Sequence, residues 1–470
     1  MTADVIAKLG RSYQEISITE LSPSETQRML ESLLGSQDLP REFRRFVQDK
    51  VGGNPLYLEE LVNALIESRA LARANGSWRL MHGIRHIDMP ATIQGIITAR
   101  LDRLERESKR LLQEAAVIGR AFLYDILKQI SDLTSRLDPL LGGLERQDLI
   151  QTRTVHPQLE YVFKQALIQE VVYQSILKKE RQAIHARIAR ITETLFSDRL
   201  EEFCETLAFH YSSAREVDRA VHYLLLAGHK SLARYAVEES HNYYQQAYEL
   251  LAADDDRPER NKRLVDLICK WALVFYYRGD VKGLSALLTQ NEPLAVSVGD
   301  EALLGMFFCW RGYTLWSEEQ FTQSHAYLER ALMLGEKLDD PLVVSYARAW
   351  LTWTCAELGR FHEGIAHGER AVALFPKIEH DPYPYFKALG GIGYCCWYLG
   401  DRARAEQTAE ELLTFGSSHA NIRCQVMGYY VRGVSYCIAG DFQTAGRNFR
   451  HAMEVALDPL YAQLAHFSWD

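Results

Sequence analysis

The chain lacks any long apolar run. Its densest short stretch, Val221 to Gly228, already contains His222, and no window approaches the roughly 18 uninterrupted apolar residues of a membrane-spanning helix. The first residues, Met1-Thr-Ala-Asp-Val-Ile-Ala-Lys, lack the basic-then-apolar profile of a secretion signal. The eight cysteines show no CxxC spacing, and Cys395 and Cys396 are adjacent. They read as buried thiols of a reducing cytoplasm. Proline is scarce, at 13 in 470 residues, which suits long helices. A basic excess is also missing. Residues 1–200 carry 28 Lys and Arg against 26 Asp and Glu, and the remaining 270 carry 25 against 36. Neither half has the footprint of a nucleic-acid binder. The acidic second half repels phosphate backbones and suits basic or amphipathic protein partners. What remains, 47% hydrophobic and 24% charged residues, is the mixture of a soluble globular protein, with length for roughly three domains.

Catalytic patterns are missing too. A phosphate-cradling loop needs GxxxxGK[ST], so that successive backbone N–H groups wrap the phosphates and the lysine reaches their charge. No such run occurs. Nor does an apolar strand ending in paired acids that would hold Mg²⁺. His362-Glu363-Gly-Ile-Ala-His367 is one residue too long for a zinc helix, and His82 and His86 flank Gly83 beside a hairpin. No metal is expected. There is no GxSxG elbow, and Gly391-Ile-Gly393 lacks the rest of a dinucleotide fingerprint. The paired acids Glu59-Glu60 and Glu410-Glu411 read as solvated helix faces.

What is present is a repeat. Gly279-Asp280, Glu319-Gln320, Gly359-Arg360, Gly400-Asp401 and Gly440-Asp441 recur about every 40 residues, each between two helical patterns. Leu284, Ser324, Gly364, Ala405 and Ala445 follow the turns at a nearly fixed offset, and Ala272, Gly312, Thr352, Gly393 and Gly433 precede them. Small residues at matched positions let two helices of a hairpin approach closely. Phe275, Leu315, Cys355, Cys396 and Tyr436 fill the gap between them. One hairpin cannot bury its apolar face alone, so neighbours stack into a solenoid. Two degenerate hairpins are expected at 201–228 and 229–252, with Asp254-Asp-Asp-Arg-Pro258 as a linker. Tyr461-Ala-Gln-Leu-Ala-His-Phe begins another first helix, so the array looks cut off.

The first half alternates like a strand at Tyr13-Gln-Glu-Ile-Ser-Ile-Thr. Ser22-Pro-Ser-Glu25 is a capping box with proline at the first helical position, and helical patterns follow at 23–35 and 40–51. Gly52-Gly53-Asn54-Pro55 then feeds another helix, and Asn75-Gly76 reads as a hairpin turn.

Three motifs, in this order, resemble one family. They are GGNPLYLEELV from Gly52, MPATIQGIITARLDRLERESKRLLQEAAVIGRAF over 89–122, and YVFKQALIQEVVYQSIL over 161–177 followed by Arg181 and His185. Together they are similar to the signal-transduction ATPases with numerous domains, an AAA+ branch that couples to cyclase, kinase or transcription-factor effectors. The repeats resemble the longer tetratricopeptide repeat of those proteins. The resemblance implies a mainly α chain: one strand of a truncated nucleotide-binding core at 1–19, a helical lid with a small hairpin at 20–88, and a winged helix at 89–180. Linking helices and degenerate repeats at 181–257 and a tetratricopeptide-like α-solenoid at 258–470 complete it. The wing strands would be Leu149-Ile-Gln-Thr-Arg and Glu160-Tyr-Val-Phe. With the phosphate loop absent, the chain reads as the C-terminal part of a larger protein and by itself is expected to catalyse nothing.

By the same resemblance, Gly53, Asn54 and Pro55 match the motif whose proline packs on adenine; the plain alternative is an ordinary helix entry. Lys164 and Gln165 stand where relatives carry Arg-His as a phosphate sensor. Gln165 cannot become cationic, which leaves the charge to Lys164; the plain alternative is a solvated helix start. The cofactor would be ATP or ADP, with Mg²⁺, in the complete protein. One residue beyond the small series lie Tyr313, Trp353 and Tyr394, and three further on Trp316 and Trp397. On first helices these positions face the concave groove, and an aromatic stripe there suits a protein, a peptide or a small effector; the alternative is packing between hairpins. Trp310 and Trp350 fall on another face and read as filler. The leading expectation is the lid, winged-helix and sensor portion of a nucleotide-switched, self-assembling cytoplasmic ATPase. The rival is a nucleotide-independent scaffold. A DNA-reading winged helix is opposed by the near-neutral charge.

Overall fold

The structure, a computed structural model, describes residues 18–36, 39–74, 77–80, 92–155, 157–253, 258–378 and 380–457. The strand expected at 13–19 falls almost wholly outside these residues, as do Asn75-Gly76, His82, His86, residues 254–257 and the segment from Tyr461. Contacts divide the chain into two units, Met1–Leu195 and Phe196–Asp470, each described by itself.

In the first unit Ser22 starts α1 (Pro23–Leu34) as its sequence predicts. Its Oγ accepts from Glu25 N at 3.3 Å and its N–H donates to Glu25 Oε2 at 2.9 Å. Helices α2 (Arg41–Val51) and α3 (Pro55–Glu67) pack Phe43, Val47, Leu58 and Leu61 against Leu30 of α1. Strands β1 (Leu71–Ala74) and β2 (Ser77–Leu80) pair antiparallel with Ala72 opposite Arg79, and Trp78 Nε1 donates to Leu34 O at 2.7 Å. Two helices follow, α4 (Ile93–Leu101) and α5 (Arg106–Ile118), then β3 (Ala121–Leu123), α6 (Tyr124–Ile130) and α7 (Leu137–Arg146). Strands form at β4 (Ile150–Thr154) and β5 (Glu160–Phe163), where the sequence places them. The three strands form an antiparallel sheet ordered β3-β5-β4. Helices α8 (Ala166–Gln174) and α9 (Lys178–Leu195) complete the unit.

The second unit is helical throughout its described residues: α10 (Cys204–Ala214), α11 (Val217–Ala233), α12 (Val237–Ala252), α13 (Pro258–Arg278), α14 (Val281–Ser297), α15 (Glu301–Ser317), α16 (Phe321–Leu338), α17 (Pro341–Glu357), α18 (Phe361–Leu374), α19 (Tyr383–Leu399), α20 (Arg402–Ser418), α21 (Ile422–Ile438) and α22 (Phe442–Leu457). From α13 onward they pair as hairpins, and first helices also touch first helices of the next repeat. This is a tetratricopeptide-like helical solenoid. No helix among the described residues is long and apolar enough to cross a membrane.

The turns repeat atom for atom. Each holds one left-handed residue: Gly279, Glu319, Gly359, Gly400 and Gly440, at φ of 72, 61, 74, 67 and 77°. The next residue donates its N–H to the carbonyl of Phe275, Leu315, Cys355, Cys396 or Tyr436 at 2.7–3.1 Å, the bond that closes a helix C-terminus. The gap-filling series of the sequence is thus also the acceptor series of the turns. Across each hairpin the small positions meet as expected. A Cβ on Gly312 would stand 2.5 Å from Leu328 of the same hairpin, and between successive first helices one on Gly393 would stand 2.5 Å from Val431. Ser324 Oγ donates to Gly312 O at 2.8 Å.

The earlier hairpins differ from the sequence reading. Ser240 Oγ donates to Gly228 O at 2.8 Å, as Ser324 does to Gly312, and Tyr235 (φ 59°) holds the turn between them. So 217–252 forms one hairpin of α11 and α12 in phase with the rest, not halves of two. Arg215 (φ 62°) holds a like turn before α11, with Glu216 N donating to Tyr211 O. Neither turn carries the Gly-Asp signal that sets the phase elsewhere.

Candidate functional site

In the first unit, Gly53 is left-handed at φ 81°, and a Cβ there would lie 2.5 Å from Leu21 O. Its carbonyl accepts from Leu21 N at 2.8 Å. Only glycine fits. Asn54 caps α3, Oδ1 accepting from Tyr57 N at 3.1 Å, and Pro55 takes the first helical position, exposed. One turn on, Glu59 meets both residues of the expected sensor pair: Oε1 lies 3.6 Å from Lys164 Nζ, and Oε2 accepts from Gln165 Nε2 at 3.2 Å. Lys164 also pairs with Asp148 at 2.9 Å. Burial works against the Lys164 ammonium, but Asp148 and Glu59 outweigh it and raise its pKa. Gln165 Oε1 is buried without a hydrogen-bond partner among the described residues. Residues far apart in sequence, 53–55 and 164–165, therefore flank one polar cluster.

Glu60 is not the solvated acid its sequence implies. At 1% exposed it binds Arg100 Nη1 at 2.5 Å, while Arg100 Nη2 reaches Glu67 at 2.6 Å and Gln147 O at 2.9 Å. Burial raises the Glu60 pKa against the pull of Arg100. A buried arginine fork between α3 and α7 carries no sequence signal beyond charge.

In the second unit, the first helices α13, α15, α17, α19 and α21 wall a groove of about 540 Å³, together with His229 and Tyr244 of the first hairpin. Trp310, Tyr346, Tyr383 and Phe386 give it aromatic walls, and Arg423 lies at the far end. Four of the five stripe residues join one chain of rings. Tyr313 touches Tyr276 (5.4 Å between centroids) and Trp350 (4.7 Å), and Trp316 touches Trp350 (5.4 Å) and Trp353 (5.9 Å). Trp353 stacks on Tyr394 at 5.3 Å. Tyr313 and Trp353 are buried, Trp316 and Tyr394 half-buried, and Trp397 is 42% exposed. Trp310 and Trp350 belong to the same cluster: both touch Tyr313, and Trp310 lines the groove.

Two cations sit in these rings. Lys387 Nζ lies 4.9, 4.6 and 5.3 Å from the ring centres of Tyr276, Trp350 and Trp353, and Trp353 Nε1 donates to Lys387 O at 2.8 Å. Arg423 lies on Tyr277 and 5.5 Å from Tyr235. Burial pushes its pKa down to about 9. The sequence pattern hides both, since a lone Lys or Arg in a helix reads as solvated.

His325, Cys355 and Glu363 bring their donor atoms within 4.8 Å of one another. Arg360 already stands there, 3.5 Å from His325 Nε2 and 4.0 Å from Glu363, and burial raises the Cys355 thiol to about 12. A cation's place is filled and the thiolate is disfavoured. All eight cysteines are unpaired.

Residues 22–79 match a family described as a domain of unknown function (DUF8739). An uncharacterized protein of Rhizobium meliloti (strain 1021) is 27% identical over 230 residues, 45% of this chain and 20% of that protein. The chain thus spans about a fifth of that relative's length. Among solved structures it is similar to a signal transduction ATPase with numerous domains, bearing a tetratricopeptide repeat sensor, from Pyrococcus horikoshii. The identity is 14%, over 97% of this chain and 69% of that one, with a TM-score of 0.38. Aspartyl phosphate phosphatase F of Bacillus subtilis aligns at 12% identity over 95% and 97%, TM-score 0.45. A tetratricopeptide repeat protein of Parabacteroides merdae aligns at 13% over 60% and 99%, TM-score 0.39.

Proposed function

We propose that the solenoid is a ligand-sensing module, and that residues 20–180 are the lid and winged-helix side of the nucleotide switch it controls. The observation that carries the sensor is the groove, where successive first helices present aromatic rings to one cavity of about 540 Å³. That size lies within the range of small-molecule sites. The switch rests on a second observation. Gly53 and Asn54 shape a helix entry that leaves Pro55 exposed for an adenine, and Glu59 on the same helix binds Lys164 and Gln165. Nucleotide on one side of that cluster would bias the helix that carries the sensor pair. A groove ligand shifts the switch only by its differential affinity for the two states.

The coding sequence upstream of Met1 is the first test. An in-frame GxxxxGK[ST], followed by an apolar strand ending in paired acids, is expected. A stop codon with no such segment would leave only a scaffold that binds a protein or peptide. With that segment included, Pro55→Ala should weaken ADP binding by roughly tenfold, as loss of one good apolar contact does. Unchanged affinity in a titration removes the adenine role.

A further inference from the structure

Arg423 and Lys387 are 8% and 6% exposed, and neither meets a carboxylate of the described residues at ion-pair distance. Buried cations ordinarily have such partners, because an unpaired charge out of water costs several kcal/mol. The acids of the groove wall, Asp266, Asp340 and Asp381, bond groups other than Arg423 and Lys387. Asp381 accepts from Tyr346 Oη at 2.7 Å and from Tyr383 N at 3.1 Å. Asp340 caps α17 and Asp266 pairs with Lys270. The two cations are close neighbours: Lys387 lies on Tyr276, Arg423 on Tyr277, and those rings are 5.4 Å apart. Lys387 is one ring behind the groove, since Tyr276 meets the groove-lining Tyr383 at 5.1 Å.

Hydrogen-bonding capacity is also left over. Arg423 Nε, Tyr383 Oη, Tyr313 Oη and Trp350 Nε1 are all buried without a partner in hydrogen-bond geometry among the described residues. Tyr383 has Trp350 near its hydroxyl, and Tyr313 has Ser317, but neither approach makes a well-formed bond. All four groups can donate. Of these groups Arg423 and Tyr383 line the groove, whereas Tyr313, Trp350 and Lys387 are not part of its lining. An unpaired cation beside an unused hydroxyl, set in aromatic rings, is complementary to an anionic ligand.

We propose that the groove binds a small organic anion, its carboxylate, sulfonate or phosphate held by Arg423 and its apolar body lying on Trp310, Tyr346 and Tyr383. Lys387 adds its field from one ring deeper, where low polarizability of the surroundings strengthens it. A bond to the Tyr383 hydroxyl then displaces no partner in hydrogen-bond geometry among the described residues. The inference rests on the reading of the groove as a ligand site and names the chemistry of that ligand.

Two dyes that share their rings test it on the full chain: 8-anilinonaphthalene-1-sulfonate and the uncharged N-phenyl-1-naphthylamine. The sulfonate should bind saturably at one site, roughly tenfold or more tighter than the neutral dye, as expected for a charge-assisted contact. Arg423→Met should abolish that preference and Lys387→Met should reduce it, both leaving the neutral dye unchanged. Unfolding midpoints without dye separate a ligand clamp from a structural prop. The clamp predicts that both variants melt at or above the parent temperature, because each removes an uncompensated buried charge. A midpoint lowered in both, or equal binding of the two dyes, overturns the anion clamp while leaving the groove. If neither dye binds, the groove reading fails with it.

Discussion

The imidazole of His185 is 1% exposed, within 3.1 Å of Tyr173 Oη, and Arg181 lies over that tyrosine ring. Burial first, and the Arg181 charge second, lower its pKa from 6.5 to about 4. Between these two values the unfolded chain takes up a proton that the folded chain refuses, so stability rises with pH in that window. The contribution is intact above about pH 6.5 and lost toward pH 4. Its upper limit is about 3 kcal/mol, since each tenfold change in proton affinity is worth about 1.4 kcal/mol. Urea unfolding at neutral pH and near pH 4.5, followed by amide hydrogen exchange in the first unit, should show the loss. His185→Gln should flatten the profile of the first unit, while His367 of the second unit, its own pKa lowered by burial to about 4, is left as it is; an unchanged slope in the first unit would mean that another group titrates. The helical stretch that holds His185 is legible in sequence, but this protonation state is not, since it depends on burial by partners outside that stretch.

At the scale of the hairpin, four of the five regular turns give the left-handed position to glycine and one gives it to Glu319, at φ 61°. A side chain there meets the following carbonyl, at a cost of roughly 1 kcal/mol. Glu319→Gly should therefore raise the stability of the solenoid by about that much, read as a higher denaturant midpoint at constant slope. A lower midpoint would show that the Glu319 side chain holds something the turn needs. The regular hairpins are legible from sequence because three of their five turns leave a Gly-Asp mark, a left-handed residue followed by a capping Asp, and Glu319 and Gly359 fall in the same register. Arg215 and Tyr235 adopt the same geometry without leaving it, which is why the hairpin at 217–252 reads out of phase. The groove cations are hidden for a different reason. Lys387 acquires its rings from α13 and α17 only when separate repeats stack, and periodicity within α19 does not report that.

At the scale of the whole chain, the two units carry separate cores and separate kinds of fastening. The first has a buried charge network at Arg100, the second repeated close contacts of glycines with larger side chains of neighbouring helices. Calorimetry should resolve two transitions. Arg100→Ala leaves Glu60 buried without its partner, a change of about 3–5 kcal/mol, and should lower one of them, while Glu319→Gly raises the other. In the double variant the shifts should add, as for independent sites. If either substitution moves both transitions together, the chain unfolds as one block. The turn that recurs through the second unit bears on how such a chain changes over generations. Every regular junction is closed by the same backbone bond, so a duplicated or deleted module of about 40 residues would find a matching end on either side. Lengthening the array is therefore easy, and the selective burden falls on the few side chains of the groove, which a shift of one module would carry away from one another.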